Sequence, residues 1–210
     1  MNSNITCVIL AGGLARRMGN IDKAFVELDS KPMLTHVIDR IAPQNPSIII
    51  NANGDPARFA NWQLPVIADT IDGFPGPLAG VLAAMEWAKE HRPEKQWPEK
   101  QWIVSIPVDT PFTPDDLVAR FAAAIKENQA DLACAKTNGR AHPVVGMWPV
   151  ALADNLRQAM THENIRKVDL WTARFKLVQV EFETEPVDPF FNINRPQDIE
   201  KAEQILQGKT

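Results

Sequence analysis

The segment Leu10–Gly19, LAGGLARRMG, combines three glycines with two adjacent arginines directly after the apolar run Ile5–Leu10. Glycine tolerates a positive φ and lets a ligand approach the backbone, so consecutive N–H groups can surround phosphate oxygens. Arg16 and Arg17 add planar, permanently charged donors, and Lys23 adds a movable point charge. The pattern favours a polyphosphate-binding loop over the alternative, a tight strand-to-helix turn with solvated arginines.

This loop differs from two common nucleotide-binding motifs. GxxxxGK[ST] is absent, which excludes a P-loop, and the absence of GxGxxG argues against an NAD-dependent enzyme. No Ser/His/Asp or Cys/His grouping indicates covalent catalysis, and His142 beside Pro143 is interpreted as structural. Cys7 and Cys134 lack CxxC spacing and lie in apolar segments, so we expect buried reduced thiols and no zinc or redox centre.

A rigid carboxylate is the second candidate for chemistry. Asp109 lies in PVDTP (107–111), directly after an apolar run and between two prolines that stiffen the backbone. Mg²⁺ usually takes one or two carboxylates together with substrate phosphate oxygens, so Asp109 is a candidate metal ligand. The residues alone leave open that Asp109 only caps its own turn.

Polar residues recur just past the carboxyl ends of the predicted strands, at Gly12-Gly13, Asn51, Asp69 and Asp109. Ligands of open α/β sheets bind beyond those ends, so we expect these residues to converge on one cleft. Asn51 and Asp69 can hydrogen-bond a base or a ribose, and a carboxylate can accept from the N1–H and N2–H edge of guanine. An Asx turn or a helix N-cap is the alternative for each.

Two further groups can line the same cleft. Asn192 and Asn194 alternate along the extended segment FFNIN (190–194), so they should face one side and can contact an acceptor, unless they are edge-strand or turn residues. Gly76 and Gly80 in PGPLAG can admit a base or sugar, or else allow a helix to pack closely on the sheet.

Strands that alternate with helices predict an α/β fold with a mostly parallel central sheet flanked by helices. The predicted strands cover 5–10, 47–50, 65–68, 102–106, 131–136, 143–148 and 175–180. The predicted helices begin at Pro32 and at 56, 76, 114, 150, 165 and 196, with Asp115 and Asp116 in the first turn of the helix over 114–128. No shift in composition marks a boundary, so we expect one domain, 1–210. Because the candidate phosphate and nucleoside groups precede the candidate acceptor group in the chain, we expect nucleotide binding in about 1–130 and acceptor binding in about 131–210.

The chain has 210 residues, 45% of them hydrophobic, a net charge of −4 and a pI near 5.6. This overall charge does not favour nucleic acid, so a local cluster must hold any anionic ligand. The N-terminus does not have the pattern of a signal peptide, and no apolar run approaches the length of a membrane span. We therefore expect a cytoplasmic protein without membrane association.

The sequence resembles the molybdenum cofactor guanylyltransferases, the MobA family, almost from end to end. The matching segments are LAGGLARRMGNIDK (10–23), NAN (51–53), Asp69, PGPLAG (75–80), PVDTP (107–111), HP (142–143) and FNINRP (191–196). A wider set of nucleotidyltransferases shares the glycine-rich start, whereas its combination with the later motifs is more specific.

The resemblance implies a Rossmann-like nucleotidyltransferase that uses Mg²⁺ to transfer GMP from GTP to molybdenum-bearing molybdopterin, with release of pyrophosphate. It implies GTP binding by Leu10, Ala11, Gly12, Lys23, Asn51, Asp69 and Asp109. It implies action at the reacting phosphates by Gly13, Arg17, Lys23 and Asp109, the last also as the Mg²⁺ ligand. Asn192 and Asn194 would contact molybdopterin. Transient contacts with cofactor-biosynthesis proteins and apo-molybdoenzymes are also implied.

Two alternatives remain at this point. The first is a related nucleotidyltransferase that uses CTP or another NTP on molybdopterin or on a sugar or alditol phosphate. The second is a non-catalytic module that binds a nucleotide or cofactor for delivery, which would tolerate the loss of Asp109.

Overall fold

The computed structural model describes residues 4–12, 14–15, 21–73, 76–91 and 100–208, with backbone alone at 14, 15 and 21. The strands of these residues are β1 (Ile5–Leu10), β2 (Leu14–Ala15), β3 (Ile21–Asp22), β4 (Glu27–Leu28), β5 (Lys31–Pro32), β6 (Ile48–Asn51), β7 (Val66–Ile67), β8 (Trp102–Pro107), β9 (Leu132–Thr137), β10 (Arg140–Pro149) and β11 (Leu177–Glu181). The α-helices are α1 (Met33–Ile41), α2 (Pro77–His91), α3 (Leu117–Asn128), α4 (Ala153–Thr161), α5 (Val168–Thr172) and α6 (Pro196–Leu206). Short 3-10 turns cover Lys23–Phe25, Pro56–Trp62 and Val150–Leu152. Across this described part of the chain, no helix has the length and apolar character needed to cross a lipid bilayer.

The central feature is a seven-stranded sheet in the order β11-β9-β10-β8-β1-β6-β7. β1 runs parallel to β6 and β8, β6 to β7, and β11 to β9. β10 is antiparallel to both of its neighbours, β8 and β9, so the other strands of the sheet all share one direction. The predicted mostly parallel sheet flanked by helices is therefore confirmed.

Helices cover both faces of this sheet, which is why its strands are continuous apolar runs. In β6, Ile48 and Ile50 face the cluster beneath α1 and α3, whereas Ile49 faces the cluster beneath α2 and α4. This alternation follows from the two-residue period of a strand. All three isoleucines are buried, and each contributes about 1.5–3 kcal/mol to folding.

The register of four strands brings their carboxyl ends to one edge of the sheet. Leu10, the last residue of β1, pairs with both Asn51 in β6 and Pro107 in β8, and Asn51 also pairs with Ile67 in β7. β10 begins at the same edge, with Arg140, because it runs in the opposite direction. The loops that follow these strand ends are therefore neighbours in space.

Two predicted helix starts are wrong, and the helix expected from 165 begins at Val168. The helix expected over 114–128 begins at Leu117, so Asp115 and Asp116 precede it and do not occupy its first turn. The chain first forms a separate turn in which the Thr113 hydroxyl donates a 2.8 Å hydrogen bond to the carbonyl three residues earlier. Asp116 then takes the N-cap position, with φ −117° and ψ 7°.

Candidate active site

The loops at the carboxyl edge of the sheet border a cleft of about 730 Å³, a volume typical of small-molecule sites. The predicted residues that line it are Leu10, Gly12, Lys23, Asn51, Asp69, Asp109 and Asn192. Ala11 is buried beneath it, and its N–H donates to the Asn51 carbonyl over 2.8 Å. Gly13 and Arg17 lie outside the described residues. The expected convergence of strand ends on one cleft is thus present.

One end of the cleft contains an ion pair between Lys23 and Asp109. The Lys23 Nζ lies 2.7 Å from Asp109 Oδ2 and also donates to Asn194 Oδ1. The two charged side chains are only 14% and 15% exposed. Asp22 Oδ1 accepts from the backbone N–H of Ala24, which caps the short turn that carries Lys23. The ammonium group is therefore held against the carboxylate by contacts from distant parts of the chain.

The segment before α6 reaches this ion pair through the backbone. The N–H of Ile193 donates to the Asp109 carbonyl over 3.0 Å, and the Ile193 side chain is completely buried. Asn192 lines the cleft, and Asn194 contacts Lys23. The Asn194 side chain thus accepts a hydrogen bond from Lys23, beside Asp109. The acceptor-binding roles of Asn192 and Asn194 stay predictions.

The Asp69 carboxylate forms another part of the cleft and is held by two amide groups. Asn51 Nδ2 donates to Asp69 Oδ1 over 3.0 Å, and Asn53 Nδ2 donates to Oδ2 over 2.8 Å. The Asp69 N–H returns a 2.9 Å hydrogen bond to Asn53 Oδ1. Carboxylate oxygens have further lone pairs, so Asp69 can still accept from a ligand while its orientation is fixed. Asn53 was not singled out from the sequence, although it is the second asparagine of the NAN motif.

Helix α2 approaches the Asn51 amide so closely that one of its positions must be glycine. A Cβ on Gly80 would lie 2.2 Å from Asn51 Oδ1 and 2.7 Å from Leu10 Cδ2. Gly80 therefore serves close packing of the helix on the sheet, the second of the two roles considered for it. Gly76 lines the cleft and adopts φ +149°, a conformation that favours glycine.

A further wall of the cleft, at the start of β10, was not predicted as part of the site. Arg140, His142 and Phe190 line it. His142 Nε2 lies 2.7 Å from Thr137 Oγ1, and its ring centroid is 4.9 Å from that of Phe190. Burial lowers the pKa of His142, Asp188 acts to raise it and Arg140 to lower it further. The imidazole is packed and hydrogen-bonded but also lines the cleft, so its structural interpretation stays a prediction. The HP dipeptide before an apolar run was the available signal in the sequence.

The donor groups at Asp109 fit a Mg²⁺ ion that is shared with substrate. The residues that the structure describes contain no group of three or more His, Cys, Asp or Glu side chains suited to a metal. Mg²⁺ often takes a single carboxylate and completes its shell with phosphate oxygens and water. Asp109 offers one carboxylate at the edge of the cleft. It suits an ion that arrives with a polyphosphate, and the described side chains do not form a metal cage.

Comparison with known sequences identifies relatives over nearly the whole chain. A family model described as a MobA-like NTP transferase domain matches residues 7–175. A molybdenum cofactor guanylyltransferase of Rhodopseudomonas palustris (strain BisB5) is 52% identical over 198 residues, which cover 94% of this chain and 92% of the relative. One from Mesorhizobium japonicum is 42% identical, with 100% of both chains covered.

Solved structures show the same fold at lower identity. The molybdopterin-guanine dinucleotide biosynthesis protein A of Archaeoglobus fulgidus superposes with a TM-score of 0.76 at 23% identity, over 97% of this chain and 99% of its own. A CMP:2-keto-3-deoxy-manno-octonic acid synthetase complexed with CTP gives a TM-score of 0.70 at 14% identity, over 99% of this chain and 100% of its own. The family match, and sequence identities of 52% and 42% over nearly the whole chain, confirm the resemblance seen in the motifs. The chain belongs to the MobA-like NTP transferase domain family.

Proposed function

We propose that this chain is a molybdenum cofactor guanylyltransferase, which transfers GMP from GTP to molybdenum-bearing molybdopterin and releases pyrophosphate. The observation that carries the proposal is one cleft that joins an amide-held carboxylate, Asp69, to a lysine–carboxylate pair, Lys23 and Asp109. The names of the relatives at 52% and 42% identity support GTP as the donor and the molybdenum cofactor as the acceptor.

We assign the nucleoside of GTP to the group formed by Asn51, Asn53 and Asp69. Guanine presents adjacent N1–H and N2–H donors, which suit a carboxylate acceptor, whereas cytosine does not present this donor pair. Because two amides already orient Asp69, little ordering remains to be done when the nucleoside binds. This is the chemical reason to expect GTP in preference to CTP.

We assign the triphosphate to the loop after β1 and to Lys23. The terminal phosphate of the acceptor attacks the α-phosphorus, the bond from that phosphorus to the bridging oxygen breaks, and pyrophosphate leaves. The attacking phosphate is largely ionised at pH 7, so the step needs no strong general base from the protein. Lys23 neutralises charge on the phosphates and helps to hold them in line.

Mg²⁺ bound at Asp109 would supply further charge neutralisation on the phosphates as a Lewis acid. Gly13 and Arg17, which lie outside the described residues, are proposed to act beside the same phosphates. Asn192 and Asn194 are proposed to bind molybdopterin. Handover to apo-molybdoenzymes through transient protein contacts belongs to the same proposal.

The test is pyrophosphate release with molybdenum-bearing molybdopterin and, in turn, GTP, CTP, ATP and UTP. We expect turnover with GTP and its loss in Asp109→Ala, with an unchanged circular dichroism spectrum because Asp109 lies in a loop. Asp154→Ala is the matched control, since that carboxylate is 83% exposed. Turnover with CTP in place of GTP would overturn the base assignment. Nucleotide binding without pyrophosphate release would favour the delivery module, and full activity of Asp109→Ala would refute its role.

A further inference from the structure

Arg58, in the 3-10 turn Pro56–Trp62, contacts the segments that carry the two ends of the candidate nucleotide site. Its Nη1 donates to Asp22 Oδ2 over 2.9 Å, and its Nη2 donates to the Asn53 carbonyl over 3.2 Å. Its Nε donates to the Asp55 carbonyl over 3.3 Å. We propose that Arg58 is a positioning residue that couples these two ends, an inference that rests on the function proposed above.

The first contact reaches the phosphate end through Asp22. One oxygen of this carboxylate accepts from Arg58, and the other accepts from the N–H of Ala24 and so caps the turn Lys23–Phe25. Lys23 is the first residue of that turn and is the residue that pairs with Asp109. The Asp22 side chain is 16% exposed and the Arg58 side chain 40%, so the pair is shielded from solvent on the Asp22 side only. Arg58 therefore restrains the backbone from which Lys23 extends.

The second contact reaches the nucleoside end through Asn53. The Asn53 carbonyl accepts from Arg58, while its side-chain amide donates to Asp69 and accepts from the Asp69 N–H. Two of the hydrogen bonds that orient the Asp69 carboxylate and its backbone thus come from a residue whose main chain Arg58 holds. A guanidinium group can serve both acceptors because its donors have a fixed, planar spacing, which a lysine ammonium lacks.

An aromatic platform fixes the position of the guanidinium itself. The Arg58 Cζ lies 5.2 Å from the ring centroid of Phe59 and 5.7 Å from that of Phe25. Phe59 is buried, and Phe25 belongs to the same turn as Lys23. The two rings contact each other with centroids 5.2 Å apart. Arg58 does not line the cleft, so its effect on a nucleotide must pass through Asp22 and Asn53.

The experiment compares GTP binding by calorimetry and steady-state turnover in Arg58→Met, Arg58→Lys and Arg174→Met. Methionine retains apolar contact with the rings but loses every hydrogen bond, whereas lysine keeps one charge for Asp22. Arg174 is the matched control, because it makes a two-point ion pair with Glu163 at similar exposure, 35% against 40% for Arg58. Neither Arg174 nor Glu163 lines the cleft.

We expect the Kd for GTP to rise about fivefold in Arg58→Met, less in Arg58→Lys, and not at all in Arg174→Met. The kcat at saturating GTP should fall by a smaller factor than the Kd rises in the two Arg58 variants, because Arg58 acts on the phosphates only through Lys23, and it should not change in Arg174→Met. An equal Kd in Arg58→Met and Arg174→Met would overturn the inference, as would a loss confined to kcat.

Asp22→Asn gives an independent test that does not depend on the folding of Arg58→Met. Asparagine keeps the side-chain oxygen that caps Ala24 but loses the charge that pairs with Arg58. Asp22→Asn should also raise the Kd for GTP. Adding it to Arg58→Met should raise the Kd little further, since both changes break the same contact, the one between Arg58 and Asp22. Full additivity, or an unchanged Kd in Asp22→Asn, would refute the coupling. If the wild type bound CTP and not GTP, the proposed base assignment would be refuted. The Arg58 and Arg174 variants would then be compared by their Kd for CTP, which tests the coupling separately.

Discussion

Replacing Lys23 by methionine should lower the affinity of the cleft for GTP and raise its affinity for a divalent cation. In the nucleotide-free protein, the Lys23 ammonium occupies the carboxylate that is proposed to hold the metal, at 2.7 Å from Asp109 Oδ2. Lys23→Met removes this competitor and also removes a charge proposed to bind phosphates. We therefore expect higher affinity for a divalent cation alone, together with lower affinity for GTP and a loss of turnover.

The geometry of the pair sets the size of the effect. Unit charges 2.7 Å apart attract by about 6 kcal/mol at an effective dielectric constant near 20. Desolvation offsets most of this attraction, because both side chains are about six-sevenths buried, at 14% and 15% exposure. We take about 1.4 kcal/mol of net attraction between Lys23 and Asp109 to remain. A cation no longer has to overcome this attraction in Lys23→Met, which corresponds to a roughly tenfold gain in cation affinity.

Mn²⁺ is a suitable probe, since its free form is measured by electron paramagnetic resonance without nucleotide or turnover. The matched control is Lys89→Met, which removes the same charge from an exposed pair with Asp154, at 57% and 83% exposure. Adding Asp109→Asn to Lys23→Met should abolish the gain. If Lys23→Met bound Mn²⁺ no more tightly than Lys89→Met, Lys23 would not compete with the metal and this reasoning would be refuted.

Two further predictions concern packing and pH. Gly80→Ala should lower the free energy of unfolding by about 1 kcal/mol in urea titrations, because overpacking against Asn51 outweighs the helix propensity of alanine. It should also weaken GTP binding, and a more stable variant with unchanged GTP affinity would contradict the clash. Since burial lowers the pKa of His142 from 6.5, the unfolded chain takes up the proton first as pH falls. The free energy of unfolding should therefore decrease below about pH 6.5, and less so in His142→Asn; equal pH dependence in both proteins would argue against this contribution.

Local patterns in the sequence were sufficient for much of the fold. The apolar run Ile5–Leu10 and the helix Pro196–Leu206 were predicted with the bounds that the structure has. Both depend on neighbouring residues, namely an unbroken buried run and a proline at the first helical position. The helix expected from residue 114 starts at Leu117 instead, because the hydroxyl of Thr113 completes a turn that composition does not reveal.

The candidate site divides in the same way. Asn51, Asp69 and Asp109 follow predicted strands, and parallel strands bring such residues to one edge, so their convergence could be inferred. Asn53 and Arg58 could not be assigned, because their roles depend on which side chain each one meets. An asparagine or an arginine in a polar loop has the same local signature whether it is solvated or holds a neighbour.

The sequence by itself determined the α/β alternation, the position of the glycine-rich loop and the types of polar group at the strand ends, since these follow from local periodicity and from residues whose chemistry is limited. The tertiary structure alone decided the partners. Lys23 meets Asp109, 86 residues away, and Asn194, 171 residues away. The strands of the central sheet before Lys23 and Asp109, β1 and β8, are neighbours in that sheet, and the Ile193 N–H bonds to the Asp109 carbonyl. Hydrogen bonds and ion pairs form over a few ångströms, so they depend on distances that only the folded chain defines.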